Sequence, residues 1–213
     1  MKKFLVSLVV FFLISMNGII CAQDNPEVLP PSSQSSINFR LALRELWQYQ
    51  VTWTRSYIVS TLANLEDVAV VKDKLVKNQE KIGGLITPYY GGFAGNDLAN
   101  LLREHIVIAV EMIRAVKAKD DRALQAAMEK GRSNADQLAN LLSRAKNPFW
   151  DKNHLKEMFY KHLEYINMQV NYRIQKEWGL EIDAYDDGLA HVLQLADILA
   201  DGIVHQFPDK FKE

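Results

Sequence analysis

The sequence predicts an all-α protein, an up-down bundle of about six helices with an internally duplicated helical hairpin. Three observations lead there. From Asn38 onward apolar residues recur with the helical period, and no stretch alternates as a strand does. No proline stands between Pro88 and Pro148, or between Pro148 and Pro208, so nothing there interrupts long helices. Turn-forming residues gather at 87–96, at 146–153, at Gly179 and in the tail after Pro208.

The expected helices span 39–64, 66–86, 97–118, 121–145, 153–178 and 181–206. At about 100° per residue, the first places Leu43, Leu46, Trp47, Trp53, Thr54 and Tyr57 in one stripe around Gln50. The second turns Asn78 toward its inner face and ends before Pro88-Tyr89-Tyr90-Gly91-Gly92, an interhelix turn whose aromatics plug the core or line a pocket mouth. The third carries Leu98, Leu101, Leu102, Ile108, Ala109, Met112 and Val116, with His105 in the middle. The fourth turns Asn134 inward and leads to a second proline-aromatic loop, Pro148-Phe149-Trp150. The fifth sets Leu155, Met158, Phe159, Tyr165 and Ile166 around His162, with Gln169 and Arg173 continuing that stripe. In the sixth, Leu189, Val192, Leu193, Ala196, Leu199 and Ile203 form the apolar face. His191 and His205 fall opposite, on a face expected to be solvated, and His154 is expected to be exposed at a helix start.

The duplication shows in two alignments. Residues 78–87 can be laid on 134–143, and Leu98, Leu102, His105 and Ile106 on Leu155, Phe159, His162 and Leu163. Each copy is a hairpin that buries one face against the other, which favours a bundle.

Composition bounds the class. The chain has 213 residues, 48% of them hydrophobic, with 25 basic against 26 acidic side chains. That suits one globular domain and excludes a disordered chain, a disulfide-built mini-protein and a strongly basic nucleic-acid binder. The start is set apart. Lys2 and Lys3 precede a nearly unbroken apolar run from Phe4 to Ile20, followed by Cys21-Ala22. This is the pattern of a secretory signal peptide over 1–22, cleaved after Ala22. Lipoprotein anchoring through Cys21 ranks below cleavage because bulky Ile20 precedes the cysteine, and Asn17 and Gly18 argue against an uncleaved span. The mature chain would keep 191 residues, no cysteine, and 23 basic against 26 acidic side chains. It would be periplasmic or secreted, without a stable membrane span, with a proline- and serine-rich flexible leader over 23–37, one domain over 38–208 and a tail over 209–213.

Function has to come from the polar residues on the apolar faces. Gln50, His105 and His162 each aim one hydrogen-bonding group inward from an equivalent turn. Neutral imidazole is a good metal ligand, and bundle cores are a common place for such sites. His105, His162 and Asp186 are the candidate metal ligands, with Asp197 a further carboxylate near the same face. Gln50, Arg55, Tyr57, Asn78 and Asn134 are the candidate ligand-binding residues. Arg55 either pairs with Asp183, Asp186 or Asp187 or receives an anion. A divalent metal leads among cofactors and haem ranks behind it, since a bis-histidine haem needs a porphyrin-wide gap. The competing reading makes the same residues a structural polar layer in a non-catalytic envelope or secreted interaction protein. No phosphate loop, dinucleotide fingerprint, nucleophile elbow, His-Glu-x-x-His or Cys-x-x-Cys-His occurs, and no catalytic residue stands out.

The combination Gln50-Val-Thr-Trp-Thr-Arg55, Pro88-Tyr-Tyr-Gly91, Glu104-His105-Ile106, Asn147-Pro148-Phe-Trp150, His162-Leu163, Tyr185-Asp186 and Gly202-Ile-Val-His-Gln-Phe-Pro208 resembles a widespread, functionally uncharacterised bacterial family of small helical proteins. The resemblance spans nearly the whole mature chain. It implies a histidine at the position of Gln50 in many relatives, hence three inward histidines and a metal or cofactor site. Gln50 removes one strong ligand from that set.

Overall fold

A computed structural model describes residues 32–145 and 147–212. The expected signal peptide, and the leader as far as residue 31, lie outside the described residues. Among those described there are five α-helices and no strand: α1 (Gln34–Ala63), α2 (Val68–Ala118), α3 (Asp121–Arg144), α4 (Lys152–Gln175) and α5 (Trp178–Gln206), followed by a 3-10 turn at Pro208–Phe211. The all-α expectation holds. None of these helices is long and apolar enough to cross a membrane.

Local chemistry sets the ends. The Ser33 hydroxyl accepts the Ser36 amide at 3.2 Å and starts α1 inside the stretch expected as leader, so 34–37 are helical. The carboxylates of Asp120 and Asp151 accept the amides of Ala123 and His154 at 2.9 and 2.7 Å and open α3 and α4. α1, α2 and α4 each stop at a left-handed residue, Asn64, Lys119 and Lys176.

α2 covers both segments expected as separate helices. Its one non-helical residue is Gly91, with φ 83° and ψ 165°, a conformation essentially confined to glycine. There the helix folds back on itself. A Cβ placed on Gly83 would lie 2.3 Å from the Gly95 carbonyl oxygen and 2.9 Å from the Ala99 Cβ, so the two halves touch backbone to backbone. Small residues on both sides permit this approach.

α1 packs against α2 and α5, α3 against α2 and α4, and α4 against α5, with a lighter contact between α2 and α4. The interior holds two apolar clusters. One includes Leu43, Trp47, Leu102, Leu138, Phe159 and Leu195; the other includes Tyr57, Ile58, Leu75, Ile106, Met112 and Ile166. The expected tail does not hang free, because Phe211 is buried and stacks against Tyr89 with ring centroids 5.4 Å apart.

Candidate functional site

Between the two apolar clusters the buried side chains turn polar. Gln50, Gln79, His105, Asn134 and His162 are all buried there. Each sits on its helix between a residue of one cluster and a residue of the other, as His105 does between Leu102 and Ile106.

His105 is 3% exposed and His162 5%. Their rings lie 5.8 Å apart, centroid to centroid, at 20° between planes, with the Phe159 ring 6.4 Å from His105. The two histidines expected to face inward are both buried and lie next to each other. Asn134 orients the first of them: its Nδ2 donates to the Leu101 carbonyl at 3.0 Å, which turns its Oδ1 toward His105 Nδ1 at 2.9 Å. An amide oxygen only accepts, so His105 carries its proton on Nδ1 and keeps a lone pair on Nε2. That Nε2 has no hydrogen-bond partner, and neither ring nitrogen of His162 has one. Burial lowers the pKa of His105 despite the bond to Asn134. Burial, with smaller contributions from the nearby imidazoles of His105 and His191, pushes His162 down to about 3. Both rings are therefore neutral at physiological pH, with lone pairs free of competition from protons.

The other expected residues divide. Gln50 accepts from Gln79 Nε2, and Gln79 also donates to the Leu75 carbonyl at 2.9 Å. Gln50 bonds to neither histidine, because their free nitrogens have no partner. Asn78 donates to the Leu46 carbonyl at 2.9 Å, a structural bond between α1 and α2. Tyr57 is fully buried and its hydroxyl has no partner, nor has Gln169 Oε1.

Three expectations are corrected. Asp186 is exposed on α5 and does not join the buried histidines, because its side of the helix faces solvent. Asp197 is occupied by a salt bridge to Arg44. Arg55 pairs with Glu181 rather than with Asp183, Asp186 or Asp187. Its Nε and Nη2 reach the two Glu181 oxygens at 3.0 and 3.1 Å, and Arg173 adds a third contact at 3.3 Å. Glu181, 1% exposed, looks in sequence like an ordinary acid in a first helical turn, so nothing there marks it as buried. Gln79 was missed for the same reason: only its bond to Gln50 sets it apart.

His191 and His205 also depart from the solvated face. His191, half-buried, donates from Nε2 to the Met158 carbonyl at 2.8 Å, and His205 stacks on Phe149 with centroids 4.6 Å apart. His154 is exposed as expected. Tyr89 and Tyr90 do both things proposed for them. They belong to an aromatic cluster with Phe39, Phe207 and Phe211, and they line a cavity of about 520 Å³ with Phe93 and Trp150.

The histidine pair itself is sealed. Neither ring lines any of the five cavities described, which run from about 90 to about 520 Å³. A porphyrin does not fit there. Among the described residues no three His, Cys, Asp or Glu side chains converge on one point, so the ligand set of a structural zinc site is not assembled. Comparison of the chain with protein-family models, curated proteins and solved structures finds no match.

Proposed function

We propose that this is an exported helical-bundle protein that holds a metal ion or a similarly small ligand between His105 and His162. One observation carries the reading: three imidazole nitrogens, His105 Nε2 and both of His162, are buried without a partner, on rings 5.8 Å apart. Native interiors satisfy their polar groups, and each orphaned donor or acceptor costs about 1–3 kcal/mol. A bound ligand offsets that cost. Asn134 holds the His105 proton on Nδ1, which fixes the tautomer and leaves Nε2 to coordinate.

The finer architecture belongs to the same reading. We take α2 as two helices joined at Gly91, which makes six in all, and the hairpin as duplicated. Support comes from Asn78 and Asn134, aligned in sequence, which donate to the matching carbonyls of Leu46 and Leu101 at 2.9 and 3.0 Å. Membership of the bacterial family that the motifs resemble, and removal of 1–22 on export, complete the proposal.

A second reading, an envelope or secreted interaction protein with structural histidines, is favoured by a different feature. Phe93 is 92% exposed beside the aromatic cavity, and such apolar exposure marks contact surfaces. The test is to purify the mature protein without a histidine tag and measure bound metal and the visible spectrum. Metal present in the native protein and lost in both His105→Ala and His162→Ala supports the site. A protein that neither carries metal nor retains added metal favours the second reading.

A further inference from the structure

Three helices carry the same spacing of buried residues, and comparing them bears on what the histidine pair can hold. Leu43, Gln50 and Ile58 of α1 correspond at constant offset to Leu98, His105 and Ile113 of α2, and to Leu155, His162 and Val170 of α4. All nine are buried. The partner helices follow the same rule. In each unit the carbonyl one turn before the inward polar residue receives a side-chain donor from the next helical segment. Asn78 serves Leu46, Asn134 serves Leu101 and His191 serves Met158, at 2.9, 3.0 and 2.8 Å. Positions 50, 105 and 162 are thus one position occurring three times.

The third unit breaks the rule in an informative way. His191 stands where the first two units have asparagine, and its bonded nitrogen is spent on Met158. No amide oxygen is there to take the His162 Nδ1 proton, which is why both of its nitrogens lack partners. The first unit contributes Gln50, already bonded to Gln79. The threefold position therefore supplies two imidazoles and no carboxylate.

Resting on the function proposed above, we propose that the pair binds a soft monovalent d10 cation, of the Cu(I) type, bridged between His105 and His162. Two metal–imidazole bonds of about 2 Å each, plus the two ring radii, span roughly 6 Å between centroids. The observed separation is 5.8 Å with the ring planes 20° from parallel, so a bridging ion requires the two rings to present their nitrogens edge to edge in a nearly shared plane. Charge points the same way. The rings are neutral and, among the described residues, no third His, Cys, Asp or Glu completes a group with them, while taking a doubly charged ion out of water costs about four times as much as a singly charged one. Softness agrees: the cavity of about 90 Å³ that includes Leu163, the residue after His162, is also lined by Met112 and Met128, whose thioethers suit Cu(I), and by Arg132 and Glu164.

The test titrates the untagged mature protein anaerobically with Cu(I) against a colorimetric Cu(I) chelator. Ag(I) serves as the redox-inert analogue, with Zn(II) and Co(II) in parallel. The expected result is one equivalent of Cu(I) or Ag(I), with binding lost in His105→Gln and in His162→Gln. Asn134→Ala should weaken it about tenfold, and His205→Gln should leave it unchanged. Circular dichroism and thermal melts show which variants are folded, and His105→Ala and His162→Ala stand in for any that are not. Retention of Zn(II) or Co(II) at one equivalent without Cu(I) overturns the monovalent assignment and leaves the histidine site standing. Retention of no metal at all overturns both.

Discussion

At the scale of single residues, the site's chemistry follows from which polar atoms are answered and which are not. His105 is tautomer-locked by Asn134, whereas His162 has nothing to hold its proton on either nitrogen. This asymmetry has a measurable consequence for stability. The folded His162 has a pKa of about 3, against roughly 6.5 in the unfolded chain. Between those values the unfolded chain binds a proton that the folded protein refuses, so stability is full above the upper value and falls as pH falls toward the lower one. Each pH unit in that window removes about 1.4 kcal/mol through His162 alone. His162→Gln removes the titration while keeping a neutral hydrogen-bonding side chain, the one the first unit uses. From about pH 7 to about pH 4.5, urea denaturation should show the native protein losing about 2–3 kcal/mol more than the variant. His105 and the carboxylates are common to both proteins, so their contributions cancel. Equal losses would mean that His162 is not held neutral by the fold.

At the scale of elements, the point that shapes the bundle is the turn at Gly91. Sequence reading placed a break at Pro88-Tyr-Tyr-Gly-Gly and two helices around it, and the backbone does reverse there, yet no run of non-helical residues separates the halves. Proline fits within helical geometry at Pro88, so the residue that most suggested a loop is not the one that makes the turn. Gly91 and Gly92 look alike in sequence but do different things. Only Gly91 has positive φ, and neither would meet a neighbour if it gained a Cβ. Gly91→Ala should therefore destabilise by about 1–3 kcal/mol from backbone strain alone. Gly92→Ala should be neutral or stabilising by up to about 1 kcal/mol, because alanine favours the helix. Thermal melts of the two variants decide this, and equal shifts would remove Gly91 as the hinge. The apolar stripes were legible because burial follows the helical period: Leu43, Leu98, Leu155 and Val192 are all inside as read. Pairing between elements was not legible. Periodicity says that a side chain faces inward but not what it meets, which is why Arg55 was assigned to the wrong acid and Asp186 to the wrong environment. His191, read as opposite the apolar face, was misplaced because the neighbouring helix α4 covers that side and offers the Met158 carbonyl to its ring.

At the scale of the whole molecule, the threefold correspondence proposed above, in which three hairpins each contribute one residue to a shared interior level, makes its own prediction. Asn134 shows what an intact unit looks like: an asparagine anchored on the preceding helix presents Oδ1 to the histidine it orients. Asn78 is anchored in the same manner on Leu46, and what the first unit lacks by comparison with the second is an imidazole. Gln50→His supplies it. If the three units direct position 50 and its two equivalents at a common point, the variant has a three-histidine set, the arrangement that holds zinc with one open coordination position. The expected outcome is a change of metal preference: Gln50→His should gain one equivalent of Co(II), visible as d–d absorption, that the unmodified protein does not take up. Its affinity for Zn(II) should rise by at least about tenfold, equivalent to about 1.4 kcal/mol. The Gln79 bond is lost in the variant, so a modest drop in thermal stability without metal, restored on adding Co(II), would accompany the gain. A folded Gln50→His protein that takes up no Co(II) would show that the first hairpin does not share the level of the other two. The site would then be a two-sided cleft between α2 and α4, with α1 serving only as its wall.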